Sequence, residues 1–370
     1  MKSIAFYIIY LSSLLGTELD LQYDIAGGNR IEIKKAIKMV PEKQLLGMVY
    51  LIEHMSEDDL QTLSSSFLLN NCNLAYKAWE DSPWYTDISE KLFFDYILPY
   101  ASLNENREEW RKELKQKSIP IIKNANSISE AVVLLNQNIF KEVGVIYSTE
   151  RPKADQSPSE SIKAGKASCT GLSILLIDAC RSVGIPARFV GTSSWYNNSG
   201  NHSWIEIWDN GWHYTGAAEP TGNNLDEVWF AEHASKATSG DMKYGIFAAT
   251  WGETDTYFPM DWLPGIKKYN SIDVTDKYKK FLLNKELIPI SLRVLGPLGQ
   301  RKAVRVIVEN ENEVIFEGKS KNESCDLNDH LIVLLQKGKT FTFKTEYSKE
   351  KLLIQNEQIV DLGIKLKSKK

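Results

Sequence analysis

The sequence predicts an α+β protein in three parts: a helical N-terminal region, a mixed core and a C-terminal β-sandwich. Three observations predict this. Apolar residues recur at three- and four-residue spacing through Ile31–Lys117, the period of amphipathic helices. Ser168–Trp212 reads as one helix followed by short strands. Beyond residue 281 the period drops to two, as in half-buried strands.

Composition narrows the function classes. The chain has 370 residues, 43% hydrophobic and 25% charged, an ordinary globular balance for two or three domains. Lys and Arg number 44 against 48 Asp and Glu, a net charge of −4, so no basic field recruits nucleic acid or an anionic membrane. The four Cys (72, 169, 180, 325) and five His (54, 202, 213, 233, 330) show no CxxC or HxxxH spacing. Zinc-ribbon and metalloprotease chemistry are thereby excluded, and no cofactor or metal is implied.

The N-terminus reads as an export signal over residues 1–17. Lys2 precedes the apolar run Ile4–Leu15, which is too short to span a bilayer and fits a signal h-region, with cleavage after Ser13 or Gly16. No later segment is apolar enough for a transmembrane span, so an exported periplasmic or extracellular protein is expected. Residues 18–124 form the helical region. Its segments include Glu42–His54 and Asp58–Leu69, with a helix start at Ser56 before Glu57-Asp58-Asp59. The core covers 125–265 and opens with an amphipathic helix, Ser127–Val143. A Lys-rich link over Ile266–Lys280 leads to the sandwich, 281–370. There Ile288–Val294, Ala303–Val308, Val314–Gly318, Leu331–Leu335 and Thr340–Phe343 predict five to seven antiparallel strands. Pro289 confines its strand to a sheet edge or a strand start. The sandwich holds no catalytic grouping and reads as an accessory domain.

Chemistry concentrates in the core. Ser168-Cys169-Thr170-Gly171 precedes a 3.6-period apolar stripe that ends at Gly184 and Pro186. Cys169 therefore lies in or beside a first helical turn, where free backbone N–H groups and the helix dipole favour a thiolate and can hold an oxyanion. Taken alone, such a Cys is more often a buried structural thiol than a nucleophile. Gly171 leaves room for another backbone or a substrate. Cys180, about 16 Å further along the same helix, cannot pair with Cys169 and belongs to the core. Cys72 and Cys325 are left as a possible pair.

Ser203–Trp208 and Trp212–Thr215 read as a hairpin around Asp209-Asn210-Gly211. If Asn210-Gly211 is a two-residue loop, His202 faces Glu219 directly, about 5 Å away at Cβ, close enough for a carboxylate to orient an imidazole. A three-residue loop sets Ala218 opposite His202 and Glu219 on the diagonal. His202 also reads as a loop residue, His213 as half-buried, His54 and His330 as surface residues, and Glu206 as a sheet-edge charge. Seven of the ten Trp lie between Trp195 and Trp262, lining a substrate cleft or, more simply, packing core and rim.

Read in order, Gly165-Lys166-Ala167-Ser168-Cys169, Cys180-Arg181-Ser182-Val183-Gly184-Ile185-Pro186-Ala187-Arg188, His202-Ser203-Trp204-Ile205-Glu206-Ile207 and Trp212 resemble the transglutaminase-like superfamily. The resemblance implies a papain/transglutaminase-like core and a Cys-His-acid triad. Cys169 carries over as nucleophile and His202 as base. The family places Asp four residues beyond the hairpin Trp, where this chain has Gly216. Glu219-Pro220 follows three residues later, making Glu219 the candidate acid.

Two functions follow from this sequence. The first is an exported thiol enzyme that attacks amide bonds of a peptide, glycopeptide or cell-wall peptide, with hydrolysis favoured over transfer. The second is an inactive transglutaminase-like protein that binds a glycan or peptide. The sequons Asn197-Asn198-Ser199 and Asn201-His202-Ser203 flank the base, and a glycan on Asn201 would crowd it, which favours a bacterial exported protein.

Overall fold

The computed structural model describes residues 19–279 and 287–363; the signal-like segment 1–17 lies outside them. The N-terminal helices are α1 (Asp20–Ala26), α2 (Arg30–Met39), α3 (Leu45–His54), α4 (Glu57–Thr62), α5 (Ser65–Glu80), α6 (Glu90–Tyr96) and α7 (Arg111–Ile122). Serines start several of them. Ser56 Oγ accepts from Asp59 N at the head of α4, as the acidic run after Ser56 predicts, and Ser64 and Ser89 cap α5 and α6 in the same way.

The core begins with α8 (Ile128–Val143), capped by Ser127 and ended by Gly144 at φ +72°. A short parallel pair, β1 (Ile146–Tyr147) and β2 (Lys166–Ala167), flanks α9 (Pro158–Ala164), which opens on a Ser157/Glu160 capping box. Then come α10 (Cys169–Ser182), β3 (Ala187–Thr192), β4 (His202–Trp208), β5 (Trp212–Thr215), α11 (Ala231–Ser235), β6 (Phe247–Ala249), β7 (Thr256–Tyr257), β8 (Asn270–Asp273) and α12 (Thr275–Tyr278). The sheet runs β5-β4-β3-β6-β8-β7, and its pairings are all antiparallel.

All fourteen residues of α10 are buried. It packs onto β3 and β4 and against α7, α8 and α9. A buried arginine joins the helical region to this core: Arg181 donates to the carbonyls of Tyr96, Ala101 and Ala187. Arg111 holds the same stretch from within the helical region, donating to the carbonyls of Ile97, Leu98 and Pro99. Arg181 of the motif is thus a structural clamp.

The C-terminal strands are β9 (Leu287–Leu295), β10 (Arg305–Asn310), β11 (Glu313–Lys319), β12 (Leu331–Gln336), β13 (Thr340–Lys344), β14 (Lys349–Leu353) and β15 (Gln358–Gly363). They form two sheets, β11-β10-β13-β14 and β12-β9-β15, over a shared core that includes Ile290, Leu292, Val306, Val308, Phe341 and Phe343. Two details depart from the expected antiparallel sandwich. β15 runs parallel to β9, and β9 is the central strand of its sheet. Pro289 is tolerated there because the β15 pairing begins at Ile290, leaving Pro289 paired with Leu334 alone. All four cysteines are free, which removes the Cys72–Cys325 pairing.

Candidate active site

Cys169 is the first residue of α10, after the N-cap Ser168, whose Oγ accepts from Gly171 N at 3.2 Å. Leu172 N bonds to Ser168 O, so the N–H groups of Cys169 and Thr170 precede the first intrahelical bond and are positioned to face an oxyanion. Gly171 is explained by packing rather than by substrate: a Cβ there would meet Ala167 Cβ at 3.1 Å and Ser161 Oγ at 3.3 Å. Thr170 Oγ1 lies 3.2 Å from Ser203 Oγ, tying the first turn of α10 to the start of β4. That bond sets His202, the first residue of β4, beside Cys169.

His202 is 1% exposed among the rings of Trp195, Trp204, Trp229 and Phe230, with centroids 4.9 to 6.0 Å away. Two carboxylates meet it. Glu219 Oε2 is 3.4 Å from Nε2, and Asp326 Oδ2, from the C-terminal sandwich, is 3.7 Å from Nδ1. Neither ring nitrogen completes a hydrogen bond of good geometry, so the pairing is electrostatic. Burial disfavours the charged ring, but Glu219 and Asp326 outweigh it and hold the His202 pKa well above the ordinary imidazole range.

Glu219 reaches His202 by a route the hairpin arithmetic did not take. The register pairs Trp208 with Trp212 and Ile205 with Thr215, so the loop has three residues, Asp209–Gly211, and the direct His202–Glu219 pairing is replaced by the other register. The ladder stops at Thr215. A tight turn follows, with Glu219 N bonded to Gly216 O and Ala218 at φ +63°. It folds the Glu219 side chain back over Gly216, where a Cβ on residue 216 would collide with Glu219 Oε2. The carboxylate of Glu219 therefore fills the space that a side chain at 216 would enter. Trp229 Nε1 donates to the same oxygen at 2.8 Å and fixes it.

Asp326 brings the sandwich, read from the sequence as an accessory domain, into the site itself. Cys169, His202 and Asp326 place donor atoms within 4.8 Å of one another, a group that does not include Glu219. The thiol and Asp326 thus share one side of the imidazole, and Glu219 backs the other. Nothing in the sequence around Asp326 pairs it with a histidine a domain away. Tyr147 is a second residue that sequence reasoning missed. Burial raises its pKa, as do the negative charges of Asp326 and Cys169.

Other expectations are corrected by burial. Glu206 is 0% exposed and is bound by Arg188, Lys277 and Tyr278, so it is a core ion pair and no edge charge. His54 and His330 are half-buried rather than surface residues, and burial lowers the His330 pKa to about 4. His213 is half-buried as expected and pairs with Asp226 at 2.6 Å. Trp195 and Trp204 are core residues that line no cleft.

An α+β core with a thiol at a helix N-terminus, an imidazole at the start of the facing strand and a carboxylate behind it has the arrangement of the papain-like thiol enzymes. Residues 115–216 match the family model described as the Transglutaminase-like superfamily, and the core is a transglutaminase-like one. Among solved structures, the chain is similar to a candidate cysteine protease from Cytophaga hutchinsonii at 19% identity and TM-score 0.30, over 40% of this chain and 49% of that one. It is also similar to a candidate protease from Parabacteroides distasonis at 7% identity and TM-score 0.25, over 65% of this chain and 36% of that one. The matched parts thus span about half and a third of those chains. No curated protein matches.

Proposed function

We propose that the protein is an exported thiol enzyme that hydrolyses amide bonds of a peptide, glycopeptide or cell-wall peptide. The observation that carries the reading is the placement of His202 between Cys169 and Glu219, with the Glu219 carboxylate folded into the space above Gly216. The orienting acid of such a site takes the ring nitrogen that the nucleophile leaves free, and the Glu219 carboxylate at Nε2 supports that role. Asp326 meets the other ring nitrogen, Nδ1, and lies in one close group with Cys169 and His202.

His202 takes the proton of the Cys169 thiol, the sulfur attacks the carbonyl carbon, and the N–H groups at the head of α10 take the developing oxyanion. His202 gives its proton to the departing amine, leaving a thioester on Cys169. Water then loses a proton to His202 and attacks the thioester, releasing a carboxylate and restoring the thiol. The apolar run Ile4–Leu15 behind Lys2 supports a setting outside the cytoplasm for this chemistry.

A binding function is supported by the 9% exposure of Cys169; burial of Trp195 and Trp204 takes two of the seven clustered Trp out of any aromatic cleft, while the other five stay half-buried. The deciding experiment compares wild type with Cys169→Ala on peptide and cell-wall peptide libraries, followed by mass spectrometry. Turnover that disappears with Cys169 supports the enzyme; equal turnover in both proteins sinks it.

A further inference from the structure

The segment Cys325–Asp329 of the sandwich is held in one shape by Arg301, which is 6% exposed. Its guanidinium donates to the carbonyls of Cys325, Asp326 and Asp329 at 2.7, 2.9 and 3.1 Å. Asn328 N donates to Asp326 Oδ1 at 2.9 Å, and Lys321 pairs with Asp329 at 3.1 Å. A buried arginine organising a loop of carbonyls presents one side chain in a fixed direction, and that side chain is Asp326. On the core side, Tyr147 Oη accepts from Leu327 N at 3.1 Å. Its own proton is then free to face the Asp326 carboxylate. Tyr147 is placed for this by its pairing with Ala167, two residues before Cys169.

Asp326 is 3% exposed, His202 1% and Cys169 9%. Burial alone would raise the Asp326 pKa, but His202, Asn328 N and Tyr147 hold it below the ordinary carboxylate range. A substrate carbonyl carbon must come within about 3–3.5 Å of the Cys169 sulfur, beside the imidazole that protonates the leaving group. The Asp326 carboxylate lies on that side of the imidazole, within 4.8 Å of the sulfur. A carboxylate is also the product that hydrolysis would leave there.

We infer that Asp326 is a built-in occupant of the acyl site, and that the Cys325–Asp329 loop, latched by Tyr147, must withdraw before an amide substrate reaches Cys169. The inference rests on the reading of Cys169 as the nucleophile and names how that site is regulated. The sandwich is in this view a lid that carries its own product mimic. Any factor that draws the two domains apart switches the enzyme on.

The test uses the full chain and the rate of Cys169 alkylation by iodoacetamide, followed by peptide mass spectrometry. Cys72 and Cys180, both buried, report unfolding in the same digest. Asp326→Asn and Asp326→Ala should each speed Cys169 labelling at least roughly tenfold, the scale of one charge-assisted contact, while Cys72 and Cys180 stay protected. Tyr147→Phe should give a smaller acceleration. Unchanged or slower labelling of Cys169 in a folded Asp326→Asn protein overturns the inference, even if Asp326→Ala fails to fold. The catalytic reading is separated by adding His202→Ala to Asp326→Asn. If labelling rises without Asp326 but is indifferent to His202, the lid stands and the nucleophile reading falls.

Discussion

Helix α10 carries a free cysteine near each end, and the two ends are built differently. At the N-terminal end Cys169 meets the His202 imidazole and the Asp326 carboxylate, with Glu219 on the imidazole beyond and the N–H groups of the first turn alongside, and the surrounding residues come from β1, β4, the turn after β5 and the sandwich. At the C-terminal end Cys180 is 0% exposed, and burial pushes its thiol far above the ordinary range. Its neighbour Arg181 spends all its donors on backbone carbonyls. One end is arranged for proton transfer and the other to fasten the helical region to the core. The same residue type on the same helix thus takes its role from what the tertiary structure brings to it.

The comparison breaks first at Glu219. Glu219→Gln should lower turnover by about 10² to 10⁴, the range seen when an orienting acid is lost, with little change in melting temperature. Glu219→Ala combined with Gly216→Asp sharpens the point. It should recover part of that loss in a turnover assay, because the new carboxylate starts from the place Glu219 now fills. No recovery would show that Glu219 acts otherwise than by occupying that space.

At the other end of α10, Arg181→Ala should destabilise the fold by about 3–5 kcal/mol in denaturant unfolding, since it strands several buried carbonyls at once. Cys180→Ala should cost only about 1–2 kcal/mol and leave turnover intact. A loss of turnover in Cys180→Ala at full stability would erase the distinction between the two ends.

The smallest expected effect is a pH dependence. The folded pKa of His202 is raised, so the stability it contributes is fully present below its unfolded value of about 6.5 and is lost as pH rises through the folded value. Melting temperatures taken upward from pH 6 should therefore fall less steeply in His202→Gln than in wild type. Equal slopes would mean that Glu219 and Asp326 do not hold the charged ring.

Much of this was legible in the chain itself. Ser168 before the apolar stripe marked the start of α10, and Gly184 with Pro186 marked its end, because capping and backbone conformation are local properties. The strand from His202 to Trp208 and the period-two sandwich were legible for the same reason. The hairpin register was not, because Asp209-Asn210-Gly211 satisfies a two- or a three-residue loop, and cross-strand packing chose the latter.

The amino-acid sequence by itself determined the thiol at a helix start, the imidazole at the head of a strand and a carboxylate three residues beyond Gly216. Those features depend on residues close together in the chain, whose backbone preferences act before any folding. Only the tertiary structure decided that Glu219 folds back over Gly216, that Glu206 is buried in an ion pair, and that Asp326 closes the site from another domain. Contacts between segments so far apart in sequence are selected by the packing of whole layers, which no local pattern of residues encodes.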